Sequence, residues 1–376
     1  MKYAGIYIHI PFCKYKCNYC DYFSITKMET EIPNFINLLL KEIKLFSEKN
    51  NLNFYINTIY FGGGSPSILN PDHINDILNT LYNCFRLSQN PEITIELNPD
   101  QTNTKNFIDY QNMGINRLSL GIQSFNDAIL SFLDRGHTKN DSIKAYNKAR
   151  EIGFNNINID LLFNIPNQTL NQWMNDIKHA IKLDVEHMSI YSLILENNTP
   201  LKNIIKEQSI QFPKNDIYLK MFQDSREYLI KHSYLPYELT HFSKPNFECK
   251  HTLHYFDRNP YIGFGPSAHS YDGKKRWWNE RSIEIYFKQL LNNKLPEKNF
   301  EILNDRDHYN EIIINGLRKT TGILKKDIVV KKIFCSDVFR NAVKKWNHCL
   351  DIDEKYIKIN KKGLSLTDEI TTDFMY

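Results

Sequence analysis

The feature that most restricts what this chain can fold into is an alternation repeated six times in its first half. A short apolar run is followed each time by an amphipathic stretch at helical spacing. The apolar runs lie at residues 3–10, 56–61, 92–97, 117–122, 157–163 and 187–193. Between the first two, Phe35, Leu38, Leu39 and Ile43 share one helical face; after the second, Ile74, Ile77, Leu78 and Leu81 do the same. Asn70 is placed to cap that next helix and Pro71 to open its first turn. Gly114, Gly136 and Gly153 stand where three later helices should stop. Units of this length leave room for a crossover helix, so the strands should pair in parallel. Doubly wound sheets and β/α barrels both satisfy the pattern, and the position of the chemistry must separate them.

Beyond residue 200 the alternation fades. A helix at 214–232 precedes an aromatic stretch at 234–256 and a Gly-rich turn at 261–270. From about residue 301 the pattern is three short helices, an apolar run at 356–359, the turn Lys361-Lys362-Gly363 and a second run at 364–366. Helices followed by a hairpin describe a small α+β, winged-helix-like module. The expected domains are 1–235, a connecting segment 236–300, and 301–376.

The balance of charge limits the partners. Lys and Arg exceed Asp and Glu by only four in 376 residues, which is too little to call for nucleic acid. Lys325, Lys326, Lys331, Lys332, Lys344 and Lys345 are spread over amphipathic segments and offset by acids, as on a solvated face. The longest apolar stretches, such as 188–195, fall far short of the roughly 18 residues a membrane span needs. His9 and Pro11 interrupt the opening apolar run and no cleavage site follows. A cytoplasmic protein with no integral membrane segment is expected.

Three of the seven cysteines, Cys13, Cys17 and Cys20, fall within eight residues, directly after the first strand. Three thiolates this close can hold three irons of a 4Fe–4S cluster and leave the fourth iron open. A zinc site, with His9 or a distant cysteine as fourth ligand, is the alternative. Glu96 lies inside an apolar strand, where a carboxylate is costly to bury unless paired. An ion pair with Arg117 or Arg135 would satisfy it.

The Cys-x3-Cys-x2-Cys loop after a first strand resembles the radical S-adenosylmethionine (SAM) superfamily. Further stretches resemble its oxygen-independent coproporphyrinogen III oxidase-like family: Tyr7-Ile8-His9-Ile10-Pro11-Phe12-Cys13, Phe61-Gly62-Gly63-Gly64-Ser65-Pro66-Ser67 and Glu96-Leu97-Asn98-Pro99. Leu120-Gly121-Ile122-Gln123-Ser124-Phe125, Arg135-Gly136-His137, Asn158-Ile159-Asp160-Leu161-Leu162 and Gly263-Phe264-Gly265-Pro266-Ser267-Ala268-His269-Ser270 agree as well. The resemblance spans essentially the whole chain. It implies a 4Fe–4S cluster on Cys13, Cys17 and Cys20, with SAM chelating the open iron and cleaved on one-electron reduction to methionine and a 5′-deoxyadenosyl radical. It also implies SAM contacts from Tyr7, Gly63, Gly64, Ser65, Glu96, Gln123, Arg135 and Asp160. These residues fall at or near the C-terminal ends of successive strands, where a β/α barrel builds its site. The expected fold is therefore α/β, a partial (β/α)6 barrel followed by the small C-terminal module.

The family divides into oxidases, which decarboxylate propionates of coproporphyrinogen III, and HemW-type heme chaperones. The oxidases carry another cysteine two residues after the third, where this chain has Tyr22, and a longer arm than the 12 residues that precede Cys13 here. The stretch from Tyr237 to His251 resembles the chaperones. Their heme motif, His-Asn-x-x-Tyr-Trp, reads His251-Thr252-Leu253-His254-Tyr255-Phe256 here. His251 is thus the implied heme ligand and His254 a substitute, against the plain alternative of a hydrogen-bonded histidine. The implied partners are heme, a heme-accepting protein, and an electron donor such as a flavodoxin or ferredoxin. Radical decarboxylation of coproporphyrinogen III is the enzymatic alternative, and a zinc-stabilised binding module the alternative from another class.

Overall fold

The computed structural model describes residues 2–50, 54–329 and 336–376. Lys331, Lys332 and Cys335 lie outside the described residues.

Six strands carry the first half: β1 (Tyr3–Ile10), β2 (Tyr55–Gly63), β3 (Leu87–Leu97), β4 (Arg117–Gln123), β5 (Ile157–Phe163) and β6 (His187–Ser192). They pair in parallel in strict chain order. A doubly wound sheet reverses its order at a switch point; this sheet never does, which decides for the barrel type of winding. It does not close, because β1 and β6 each take a different outer neighbour.

Crossover helices link the strands: α1 (Ile32–Lys49), α2 (Pro71–Cys84), α3 (Thr104–Asn112), α4 (Asp127–Phe132), α5 (Lys139–Ile152) and α6 (Leu170–Leu183). Local chemistry sets their ends. The Asn70 side chain accepts from the Asp72 N–H at the start of α2. Thr138 and Asp141 form a reciprocal capping box on α5, which Gly153 ends in the left-handed region at φ 108°. Gly136 does not end a helix directly; α4 stops at Phe132 and the chain turns through Asp134, at φ 56°.

The strands alternate in chemistry. On β1, Ala4, Ile6, Ile8 and Ile10 are wholly buried against the helix layer. Gly5, Tyr7 and His9 occupy the opposite, concave face. The same concave face carries Thr58, Tyr60 and Gly62, then Glu92, Thr94 and Glu96, then Arg117, Ser119 and Gly121, then Asn158 and Asp160. Register aligns these into rows: Tyr7 lies opposite Tyr60, Tyr60 opposite Thr94, Glu96 opposite Ser119, and Asp160 opposite Ser189. The helix side is therefore an apolar core and the lumen side is polar.

The stretch 236–300 is woven into the same sheet on both flanks. β7 (Leu235–Pro236) and β8 (His241–Ser243) extend it beyond β6. β9 (Tyr261–Phe264), β10 (His269–Tyr271), β11 (Lys275–Asn279) and β12 (Glu297–Ile302) extend it beyond β1. Glu42 of α1 pins this flank, accepting from the Gly265 N–H, the Asn279 amide and the Tyr286 hydroxyl.

The C-terminal module has its own buried cluster, including Tyr309, Ile313, Leu317, Ile357 and Phe374. Helices Asp305–Arg318, Lys325–Val329 and Asp337–Trp346 surround a small antiparallel sheet ordered β13 (Ile323–Leu324), β15 (Tyr356–Ile359), β14 (Leu350–Ile352). The hairpin differs from the expected one. Its turn is at Asp353, whose carboxylate accepts from the N–H groups of Lys355 and Tyr356. Leu364–Leu366 is a 3-10 turn that leads into the helix Thr367–Phe374. Asp at a turn holds its own backbone two residues on, a stronger local signal than the lysine-rich turn that follows.

Candidate cofactor site

The three cysteines sit on a loop tied at its base. The Cys13 N–H donates to the Ile25 carbonyl at 2.9 Å and the Ile25 N–H to the Pro11 carbonyl at 2.7 Å. The end of β2 is laced to the same stem, with the Gly64 N–H donating to Ile10 and the Ser65 N–H to Phe12. A Cβ on Gly64 would lie 2.7 Å from the Phe12 carbonyl oxygen and 3.0 Å from the Cys13 Sγ. Glycine is needed there for close approach. Gly63, at φ +110°, is required by conformation, and a Cβ there would meet the His9 ring.

Cys17 is buried, while Cys13 and Cys20 are half-buried. Burial raises the Cys13 thiol to about 11, against the help of a Ser24 hydrogen bond. Burial raises Cys20 as well. Arg135 reaches the loop from beyond β4: its Nη1 donates to the Cys17 Sγ at 3.4 Å, and its Nη2 to the Asn98 Oδ1 and the Gly121 carbonyl at 2.7 Å each. Among the described residues, no three His, Cys, Asp or Glu side chains converge on a point that would hold one ion. His9 is also committed elsewhere, to the Tyr7 hydroxyl at 3.1 Å and the Phe23 carbonyl at 2.9 Å. Burial lowers it to about 4, so the ring is neutral.

The remaining expected contacts gather along the same end of the lumen. Glu96 forms no ion pair with Arg117 or Arg135; the Tyr60 hydroxyl donates to it at 2.8 Å. Burial, and then the charge of Asp160, raises its carboxyl to about 7. Asp160 accepts from the Asn158 amide at 2.9 Å and the Ser119 hydroxyl at 3.3 Å. Gln123 ends β4 in the left-handed region, at φ 66°, with its amide beside Gly121. The Ser65 hydroxyl is taken up by Asn98 and Gln101.

His251 lies deeper in the lumen, its ring 6.5 Å from that of Tyr7. It is 2% exposed, with Nδ1 against the Thr58 hydroxyl at 2.8 Å and Nε2 against the Tyr255 hydroxyl at 3.0 Å. Tyr60 stacks on it at 5.1 Å. Glu92 accepts from the backbone N–H groups of Lys250 and His251 and holds the start of the helix Lys250–Phe256. His254 Nε2 pairs with the Asn57 side chain at 2.7 Å. As placed, neither nitrogen of His251 is free for a metal.

Residues 7–180 match the radical SAM superfamily. A protein of Buchnera aphidicola subsp. Acyrthosiphon pisum, "Heme chaperone HemW", is 36% identical over 86% of this chain and 84% of its own length. The Bacillus subtilis protein of the same name is 32% identical over 86% of each. The chain belongs to the HemW-type radical SAM family. The coproporphyrinogen III oxidase HemN of Escherichia coli, described as a radical SAM enzyme, shares the fold, with a TM-score of 0.85 at 22% identity over 99% of this chain and 90% of its own.

Several residues around this group had been given no role by the sequence reading, although Asn98 and Asn158 lie within its motifs. Tyr60, Ser119 and Asn158 hold the two carboxylates, and Asn98 and Gln101 hold Ser65 and Arg135. The signal was present as polar residues at every second position of strands whose other positions are apolar. Such alternation is unusual for parallel strands covered by helices on both faces, and here it marks the lumen side.

Proposed function

We propose that this chain is a heme chaperone of the radical SAM class, holding a SAM-ligated 4Fe–4S cluster on Cys13, Cys17 and Cys20 and passing heme to an acceptor protein. The observation that carries the reading is the meeting of the three-cysteine loop with Gly64, Glu96 and Arg135 at one end of a polar lumen, within the HemW-type family. The donor set suits the cluster. A cubane asks for one thiolate per iron rather than convergence on a single ion, and Arg135 places a cation beside Cys17 to offset thiolate charge.

When bound, a reduced cluster supplies the electron that cleaves SAM. The chain's own residues do the rest. Gly63 and Gly64 leave room beside the cysteine loop, Tyr7 and Glu96 line the lumen below it, and Asp160 faces them from β5. Glu96 titrates near neutrality, so it accepts or donates a hydrogen bond according to what it meets. The thiols must lose their protons to take metal, so loading releases protons and weakens at low pH. A flavodoxin or ferredoxin as electron donor and a cytoplasmic location complete the reading. Among the described residues no helix is long and apolar enough to cross a membrane. His251 does not fit an axial heme ligand as placed, and no step is routed through it.

The test is anaerobic reconstitution followed by iron and sulfide analysis and a heme titration read at the Soret band. About four irons and four sulfides per chain, with saturable heme binding, are expected. One zinc and no sulfide overturns the cluster. Formation of protoporphyrinogen from coproporphyrinogen III, with SAM and a reductant, overturns the chaperone in favour of the oxidase alternative.

A further inference from the structure

A cavity of about 530 Å³ lies between the helix Asn215–Lys231 and the C-terminal module, well away from the cysteine loop. That volume falls within the roughly 300–1,000 Å³ of small-molecule sites. One wall is apolar, with Phe222, Leu239 and Leu317 among its residues. The rest is cationic: six lysines and arginines line it against two carboxylates, Glu227 and Asp351. Three of the six are already paired. Arg318 reaches Glu238, Lys319 reaches Asp257, and Lys361 reaches Glu227.

The other three are not. Among the described residues no carboxylate makes a salt bridge with Arg226, Lys231 or Lys358. Arg226 stands over the Phe242 ring at 5.5 Å, and its Nη1 is buried without a hydrogen-bond partner. Glu238, the carboxylate whose charge acts on it, is engaged by Thr240, His241 and Arg318. A guanidinium without a carboxylate partner favours an anion on whichever of its donors the cavity reaches. Among the described residues no His, Cys, Met or Tyr lines the cavity, so these offer none of the usual axial ligands for a heme iron.

We infer that this cavity binds an apolar body carrying carboxylates, a dicarboxylate tetrapyrrole held by its propionates and not by its iron. The inference rests on the heme-carrying reading above and moves the cargo from His251 to the seam between the barrel and the C-terminal module. Arg226 and Lys358 pair with the carboxylates, and the macrocycle lies on the wall formed by Phe222 and Leu317.

The experiment titrates the full chain with heme, iron-free protoporphyrin IX and its dimethyl ester at about 0.15 M salt, where surface attraction is screened. Heme and the free acid should bind one to one with Kd values within about threefold, and the neutral ester at least tenfold more weakly. The double variant Arg226→Gln, Lys358→Glu should lose at least tenfold in affinity for both acids, with His251→Ala unchanged per folded molecule. Circular dichroism checks the fold of each variant, and the ester arm needs no variant at all. Equal binding of acid and ester, strong binding of heme alone, or an unaffected double variant overturns the inference. If heme still saturates in those cases, the chaperone reading stands without it. If the wild-type chain binds neither tetrapyrrole, both fall.

Discussion

The two ends of the lumen use similar side chains to opposite purposes. At the mouth, Cys13 and Cys20 are half-buried, and Glu96 is held by the Tyr60 hydroxyl and the Gly63 backbone N–H. At the floor, Glu92, Thr58, His251 and Tyr255 are closed on one another, and His251 is sealed against Gly5, where a Cβ would lie 3.0 Å from its ring. Polar groups satisfied by one another fasten elements together. Polar groups left partly open are available to a ligand. The difference separates structural from functional polarity within one surface.

The comparison breaks most visibly at the thiols. Cys17→Ala should drop bound iron from about four per chain to below one while thermal unfolding stays cooperative, because the loop is tied at its stem by backbone bonds. Wild-type iron content in the variant would remove the mouth from the argument. Gly64→Ala, whose added carbon crowds Phe12 and Cys13, should also reduce cluster loading by at least half.

At the floor, the expected effect is on stability. His251→Ala removes a buried ring and strands Thr58 and Tyr255, at a cost of about 2–4 kcal/mol in urea unfolding. A loss below about 1 kcal/mol, together with weakened heme binding, would instead make His251 a ligand and erase the contrast.

A smaller effect lies in pH. Burial, then the charge of Asp160, raises Glu96 to about 7, above the roughly 4.3 of an unfolded glutamate. Its contribution to stability is therefore fully present below about pH 4 and is lost as pH rises through about 7. Glu96→Gln should flatten the decline of stability between pH 5 and 8 by on the order of 2 kcal/mol. The flattening is partial, because burial raises Glu42 to about 7 with the same sign. A variant whose pH profile matches wild type would return Glu96 to an ordinary carboxylate. The smallest effect belongs to the surface: Lys345→Ala, on an exposed pair with Asp373, should change stability by less than about 1 kcal/mol.

Much of this was readable in residue order. The six apolar runs specify parallel strands because a helix is the natural link over such distances, and β5 begins and ends where the apolar run placed it. The cysteine spacing marks a loop able to offer three thiolates together, and the glycines after β2 a close approach. Other features were legible only as alternatives. Glu96 was open to pairing with Arg117 or Arg135 because a strand position says nothing about which neighbour reaches it, and register handed it to Tyr60. His251 was open between ligand and packed ring, and residue order could not show that Thr58, far away in the chain, reaches its Nδ1. The residues of the far half joined the sheet on both flanks because edge strands accept any extended partner that reaches them. What the residues alone determined are properties carried by near neighbours: periodicity, capping, turn chemistry and thiol spacing. What the tertiary structure decided is which groups, distant in the chain, meet across the lumen and the C-terminal seam, because those meetings depend on register and docking.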